Sequence, residues 1–347
     1  MQVSTPSGTA LSSEFAHRRA AMSGSTESTT LARIRARGFL RAGVSQGIRG
    51  LSLQEHAGAP WQGFDVELAK ALAIAVCGDV DAIEFVPTAP AQRFAAVAQG
   101  EVDVGTFNAS ATLGRELAHG IVFPQPMLFD GEAFLVRRAD LLPGAAPGVA
   151  GLIERRVAIQ NGATTRANLE RWFRSAGLGF ELVEHASPQA ALQAYASGAC
   201  NVYALDHIPL TGERLRLPDP VAHVILDEAV SKEAMGPVVV ASDPVWVRAV
   251  TWVMRTLIEA EELGITRGAC THAVQPLSPH APFLLPSPER CSRLGLIDRF
   301  PQRVIQGLGN YAEIFERTLG TASPLNLPRG RNALWRDGGL LISPSFD

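Results

Sequence analysis

From residue 31 onward, short apolar runs of β character alternate with longer stretches whose apolar residues recur at helical spacing. This pattern predicts parallel strands covered by helices, an α/β fold. Phe39 to Val44 reads as a first strand. Phe64 to Val76 carries apolar residues at 64, 68, 71, 72, 75 and 76, which predicts a helix opened by Gly63 and stopped by Gly78. A strand over Ala82 to Val86, a helix over Ala91 to Gly100 and a strand over Val102 to Phe107 follow, with glycine as the helix stop.

That last unit recurs. EFVPTAPAQRFAAVAQGEVDV from Glu84 resembles ELVEHASPQAALQAYASGACNV from Glu181: strand, Pro-containing loop, helix, Gly stop, strand. Two such units predict two similar α/β lobes with a cleft between them. In open parallel sheets ligands sit beyond the carboxyl ends of strands, so the residues after Val104 and after Tyr203 are expected to face that cleft.

Composition narrows the function. The 347 residues are 46% hydrophobic, enough to bury one large core or two ordinary ones. With 31 Lys+Arg against 34 Asp+Glu and no basic block, nothing is present to neutralise a run of phosphates, so nucleic acid is not an expected partner. No apolar run reaches the length of a membrane span. Residues 1 to 30, rich in Ser, Thr, Ala and Gly, are expected to form a disordered leader, and they lack the basic start, apolar core and cleavage site of a secretory signal. An altered chain start and a cytoplasmic protein both remain compatible with that.

Cys77, Cys200, Cys270 and Cys291 show no metal-binding spacing, and no metal or cofactor is expected. Cys270 and Cys291 flank a Pro-rich stretch where a disulfide is one option; Cys77 and Cys200 read as buried small hydrophobes. Gly43, Gly47 and Gly50 lack nucleotide-binding spacing. Trp246 and Trp252, at helical spacing with Val245, Val253 and Leu257, read as a core stripe.

Three strand or helix ends carry chemistry. TFNASATLGRE, from Thr106, is a polar loop ending in Arg115, whose planar guanidinium matches a carboxylate bidentately; a solvated surface arginine is the alternative. The segment Gly162 to Thr165 opens a helix containing Leu169, Trp172 and Phe173. Its free N–H groups favour an anion, unless Thr164 or Thr165 is simply an N-cap. Asp206 follows the apolar strand end Val202 to Leu205, where a carboxylate suits a ligand cation, unless it forms an Asx turn into His207. Together these groups have the polarity of a zwitterion.

Beyond that point the chain resembles the general L-amino-acid-binding proteins of polar amino-acid ABC transporters. GVSQGIRGLS at Gly43, WQGFDVELAKALAIAVCGD at Trp61, FAAVAQGEVDVGTFN at Phe94, TLGRE at Thr112, GATT at Gly162, VYALD at Val202, SKEAMGP at Ser231, AEELGIT at Ala260, GLGNYAEIFER at Gly307 and SPLNLPRGRNALWRDGGL at Ser323 follow that family in order and spacing. The resemblance implies a type II periplasmic-binding-protein fold, with lobe one at about 31–128 plus 235–347, lobe two at 129–234, and hinge strands near 129–137 and 231–240. It implies a monomeric, periplasmic protein that captures an L-amino acid for an ABC permease. Carried over by position, Arg115 holds the α-carboxylate with Ser110, Thr112 and Thr165, and Asp206 holds the α-ammonium beside Asn108.

Several positions depart from the family. Leu51 stands where an aromatic residue packs on the ligand side chain. In Thr106 to Thr112, Phe107 replaces an arginine and Ala111 a tryptophan, and Ala158 replaces the cysteine that would partner Cys200. A more apolar pocket is therefore expected. So is an alternative in which a repurposed, cytoplasmic member acts as a lyase or dehydratase, with Glu116, His207 or Glu132 as its acid.

Overall fold

The structure, a computed structural model, describes residues 28–346 apart from 46, 142–147, 153, 154, 162, 163, 227, 229 and 273–285; the side chains of 270–272 also lie outside the description. Two parallel-stranded sheets organise it. The first has β1 (Leu40–Val44) between β2 (Ile83–Pro87) and β3 (Val104–Thr106). In the second, β7 (Arg156–Gln160) lies between β8 (Glu181–His185) and β9 (Val202–Asp206); β6 (Glu132–Arg137) and β10 (His223–Leu226) extend it as antiparallel strands. The sequence repeat is thus a topological repeat: Ala42 pairs with Phe85 and Val104, as Ala158 pairs with Val183 and Tyr203.

Helices cover these sheets as the apolar spacing requires. Phe64–Cys77 forms a helix with Gly63 and Gly78 at its two ends, and Gly78 adopts the left-handed conformation (φ 80°) that lets its N–H reach the Ile74 carbonyl. The buried Ala69, Ala71, Ala73 and Ala75 let it pack closely, with Trp246, Val250, Val253 and Leu257 of the helix Pro244–Glu262 in the same core. The Trp246 indole donates to the Asp103 carbonyl at 2.8 Å, which gives its buried N–H a partner.

The described fold begins before residue 31. Residues 1–27 lie outside the description, but Ser28 caps the helix Thr29–Arg37. Its hydroxyl and the Thr30 N–H both donate to Asp243, at 2.7 and 2.9 Å, so the chain is tied to the core from residue 28. Cys291 is a free, buried thiol, so the Cys270–Cys291 bridge is not formed; Cys77 and Cys200 are also free. Among the described residues no helix is long and apolar enough to cross a membrane.

The chain passes between the two sheets on a short antiparallel pair, β5 (Leu128–Asp130) against β11 (Glu233–Met235). This crossing is narrower than the segments expected from sequence: Glu132–Arg137 belongs to the second sheet, and Val239–Val240 pairs with Ile121–Val122. At the crossing the two segments nearly touch. A Cβ on Gly131 would lie 2.5 Å from the Ser231 carbonyl oxygen, and backbone on both sides cannot yield cheaply. Gly131→Ala should therefore lower stability by about 1–3 kcal/mol, read as a drop in denaturation midpoint.

Candidate functional site

The ends of both sheets meet at one cavity of ≈ 80 Å³. From the first sheet's side come Asn108, Ser110 and Arg115; from the second come Thr164, Thr165 and Asp206. Six of the eight residues singled out from sequence are thus brought to one wall or the other.

Local structure explains how each is held. The loop after β3 is sewn to the crossing: Ser110 bridges Met235, and the Ala111 N–H donates to the Ala234 carbonyl at 2.8 Å. Asn108 has φ 48°, a left-handed conformation that asparagine tolerates better than most residues, and its Oδ1 accepts from the Ser45 hydroxyl. Arg115 lies in the first turn of the helix Leu113–His119. Its guanidinium donates to the Ser110 carbonyl at 2.7 Å and stacks 5.1 Å above the Phe94 ring. It is therefore no solvated surface arginine. Burial weakens its hold on its proton, while Glu233 and Asp206 strengthen it.

On the opposite wall, Thr164 and Thr165 open the helix Thr165–Ala176, and the Thr164 hydroxyl makes no capping bond. Gly162 and Ala163 of the expected anion-binding turn lie outside the described residues. Asp206 precedes the helix His207–Arg214 and its side chain makes no cap hydrogen bond, so the Asx-turn alternative does not hold.

Two expectations need correction. Leu51 does not line the cavity: it is 0% exposed and packs in the first core, because its loop folds back through Ile48–Ser52 and Leu53–Gln62 bridges. Ile48 and Gly47 face the cavity instead. Thr112 does not line it either; its hydroxyl accepts the Arg115 N–H at 3.2 Å and so fixes the helix that carries Arg115. Phe107 is also buried, over Gly43 and Gly105, where an added Cβ would strike its ring. Its substitution changes the floor beneath the site rather than the cavity surface.

The structure adds groups that sequence reasoning missed. Arg93 lines the cavity, donates to the Phe107 carbonyl at 3.2 Å and lies 5.6 Å above the Phe107 ring. Burial, then neighbouring Arg115, bring its pKa down to about 10, against the pull of Asp65 and Asp206. Asp65 is fully buried and its carboxyl is pushed well up by desolvation, which Arg93 offsets in part. Glu213 also lines the cavity. Its signal in the sequence was its place seven residues beyond Asp206 on one helix; that of Arg93 was a charge in the first turn of an otherwise apolar repeated helix.

Behind Asp206 the crossing gathers carboxylates. Oxygens of Glu132, Asp206 and Glu233 lie within 4.8 Å of one another, close enough to share a proton or one cation. Glu233 accepts from Asn168 at 2.9 Å and from the Ser231 hydroxyl at 3.0 Å. Glu132 is 2% exposed, and Thr165, Asn168 and Ser231 stand near its carboxylate without completing a hydrogen bond to either oxygen. Desolvation raises it to about 7, with Thr165, Asn168 and Ser231 offsetting part and Glu233 adding to the rise. Asp130, which accepts the Ile208 N–H, is likewise raised to about 7, mainly by burial. Asp206 is raised well above its ordinary value by burial and then by Asp130.

The three acids considered for catalysis are not gathered over this cavity. Glu116 accepts the Phe123 N–H at 3.2 Å, whereas His207 and Glu132 line a separate cavity of ≈ 370 Å³ on the other side of the crossing.

Known proteins match this architecture closely. Residues 40–266 match the family model of bacterial extracellular solute-binding proteins, family 3. The chain belongs to that family. This solute-binding protein is 37% identical over 319 residues to the general L-amino acid-binding periplasmic protein AapJ of Rhizobium johnstonii, covering 91% of this chain and 92% of that protein. It is 35% identical over 329 residues to the glutamate/glutamine/aspartate/asparagine-binding protein BztA of Rhodobacter capsulatus, covering 94% and 96%. Among solved structures, a periplasmic binding protein from Brucella ovis with glutathione bound superposes with a TM-score of 0.86 at 34% identity, covering 92% of this chain and all of that one. These relatives are binding proteins, and the fold is the type II periplasmic-binding-protein fold expected from sequence.

A carboxyl with a raised folded pKa holds its proton more tightly folded than unfolded. Its contribution to stability is complete below its unfolded value of 4.5 and is lost as pH rises through about 7. Asp130 and Asp206 act in the same direction. Urea denaturation at about pH 5 and about pH 8 should show the parent losing stability across that window and Glu132→Gln losing less. An unchanged decline in the variant would mean that Glu132 titrates normally.

Proposed function

We propose that this protein captures a free L-amino acid by its α-groups in the cavity between the sheets and delivers it to an ABC permease. One observation carries the reading: Arg115 and Asp206, opposite in charge and partly buried, enter the same cavity from different sheets. A zwitterion satisfies both at once, and charge-assisted hydrogen bonds in a desolvated site are strong enough to hold it. On this reading Arg115, Ser110 and Thr165 take the α-carboxylate at the N-terminal end of the helix Thr165–Ala176, where free N–H groups add donors. Asp206 takes the α-ammonium, with Asn108 on the same wall.

The relatives support the chemistry. Two carry amino-acid-binding names, and the Brucella ovis protein holds glutathione, whose γ-glutamyl end presents the same α-amino and α-carboxylate pair. We take lobe one to be residues 31–128 plus 235–347 and lobe two to be 129–234, hinged at Leu128–Asp130 and Glu233–Met235, so that closure brings Arg115 and Asp206 onto one ligand. We place the protein outside the cytoplasmic membrane as a monomer, in keeping with its family.

Of the acids considered for a dehydratase reading, Glu116 and His207 do not line this cavity, and Glu132 stands behind Asp206 without lining it. Thermal denaturation against free amino acids, with decarboxylated and N-acetylated analogues as controls, tests the binding reading. Ligand at a hundred times Kd should add about 2.7 kcal/mol, and only when both α-groups are present. Arg115→Ala and Asp206→Ala should each weaken binding by about 2–5 kcal/mol in calorimetric titration, because each leaves a buried ligand charge unpaired. Parent-like affinity in both variants would place the ligand elsewhere.

A further inference from the structure

We infer that the cleft selects amino acids whose side chain ends in an N–H donor, and that Glu213 is the residue that reads it. The inference rests on the amino-acid reading above and extends it to the ligand's side chain. Glu213 is 6% exposed and lines the same cavity as Asp206. Its Oε1 accepts from Arg216 at 3.0 Å, while its Oε2 is buried with no hydrogen-bond partner. A buried carboxylate oxygen without a donor is costly, and a ligand N–H removes that cost. A ligand carboxylate in its place would set like charge against like charge in a desolvated site.

The register of one helix sets the distance. Asp206, Pro209 and Glu213 all line the cavity and fall on one face of the helix His207–Arg214 and its first flanking residue. Seven residues at about 1.5 Å each put Glu213 roughly 10 Å along the axis from Asp206. With the α-ammonium on Asp206, two hydrogen bonds of about 2.9 Å leave roughly 5 Å between the two ligand nitrogens. A chain of four or five bonds of about 1.5 Å covers that span, the reach of a glutamine-sized side chain.

The cations near the cavity do not reverse this preference. On the amino-acid reading Arg115 is taken up by the ligand α-carboxylate and the Ser110 carbonyl, and Arg93 donates to the Phe107 carbonyl and has buried Asp65 as its counter-charge. The Arg93 Nε, which has no partner, can donate to the carbonyl of a terminal amide whose NH2 meets Glu213. A terminal amide thus serves both groups. An ammonium or guanidinium serves Glu213 alone, and a carboxylate opposes it.

Glutamine and glutamate, equal in shape and differing in that one group, are the decisive probes. Calorimetric titration of the full chain with glutamine, lysine, glutamate and leucine should show glutamine favoured over glutamate by about tenfold or more. The lysine arm separates a cationic preference from an amide one. Glu213→Gln should collapse the glutamine-to-glutamate ratio, since the new amide can donate to a carboxylate. Arg216→Met, which removes the ion pair outside the cavity, should keep it. Equal binding of glutamine and glutamate by the parent, an unchanged ratio in Glu213→Gln, or the same collapse in Arg216→Met would each overturn the inference while leaving the amino-acid reading standing. No response to any of the four would sink that reading first, and the inference with it.

Discussion

The pairing of Leu128–Asp130 with Glu233–Met235 is the contact on which the cleft depends. Backbone donors and acceptors buried between two sheets have to be matched, and this ladder matches them while letting the chain pass from one sheet to the other. Its neighbours then fall into place. Ser110 and Ala111 bond to the second crossing strand, which sets the loop that carries Arg115. Asp130 accepts the Ile208 N–H and Gly131 accepts that of His207, which sets the start of the helix following Asp206. A cavity split between two sheets is held in register by so few residues because these contacts are backbone hydrogen bonds, with the Asp130 carboxylate the one side-chain acceptor among them.

The same crossing concentrates negative charge. Asp130, Glu132, Asp206 and Glu233 share a region with little water, and burial is the first cause of the raised pKa of three of them. Keeping such groups charged is costly unless a cation comes to them. Arg115 supplies part of that charge from across the cavity. On the reading proposed above, a ligand ammonium supplies the rest. On that reading, charge left unsatisfied at the crossing is converted into affinity for the ligand.

Much of the molecule was legible before its structure. The helix Phe64–Cys77, its glycine ends and the strand–helix–strand repeat followed from apolar spacing and helix stops, because local backbone preference and burial agree there. That Arg115 and Asp206 reach the cavity was legible because strand ends in parallel sheets open onto clefts. Leu51 misled. Its position in the motif suggested a pocket wall, but two bridges in its loop turn the side chain into the core and leave Ile48 at the surface. Thr112 sits one step back from the cavity, holding the helix that holds Arg115.

By itself, then, the sequence determined the fold class, the two repeated units and the polarity of the cleft, since each depends on spacing within about thirty residues. Only the tertiary structure decided which groups share the cavity. Arg93 reaches Phe107 from the repeated helix, Glu132 meets Glu233 across the crossing, and Glu213 joins Asp206 along one helix face. Charge is desolvated by what packs around it from distant parts of the chain, and that surrounding exists only after the two sheets have met.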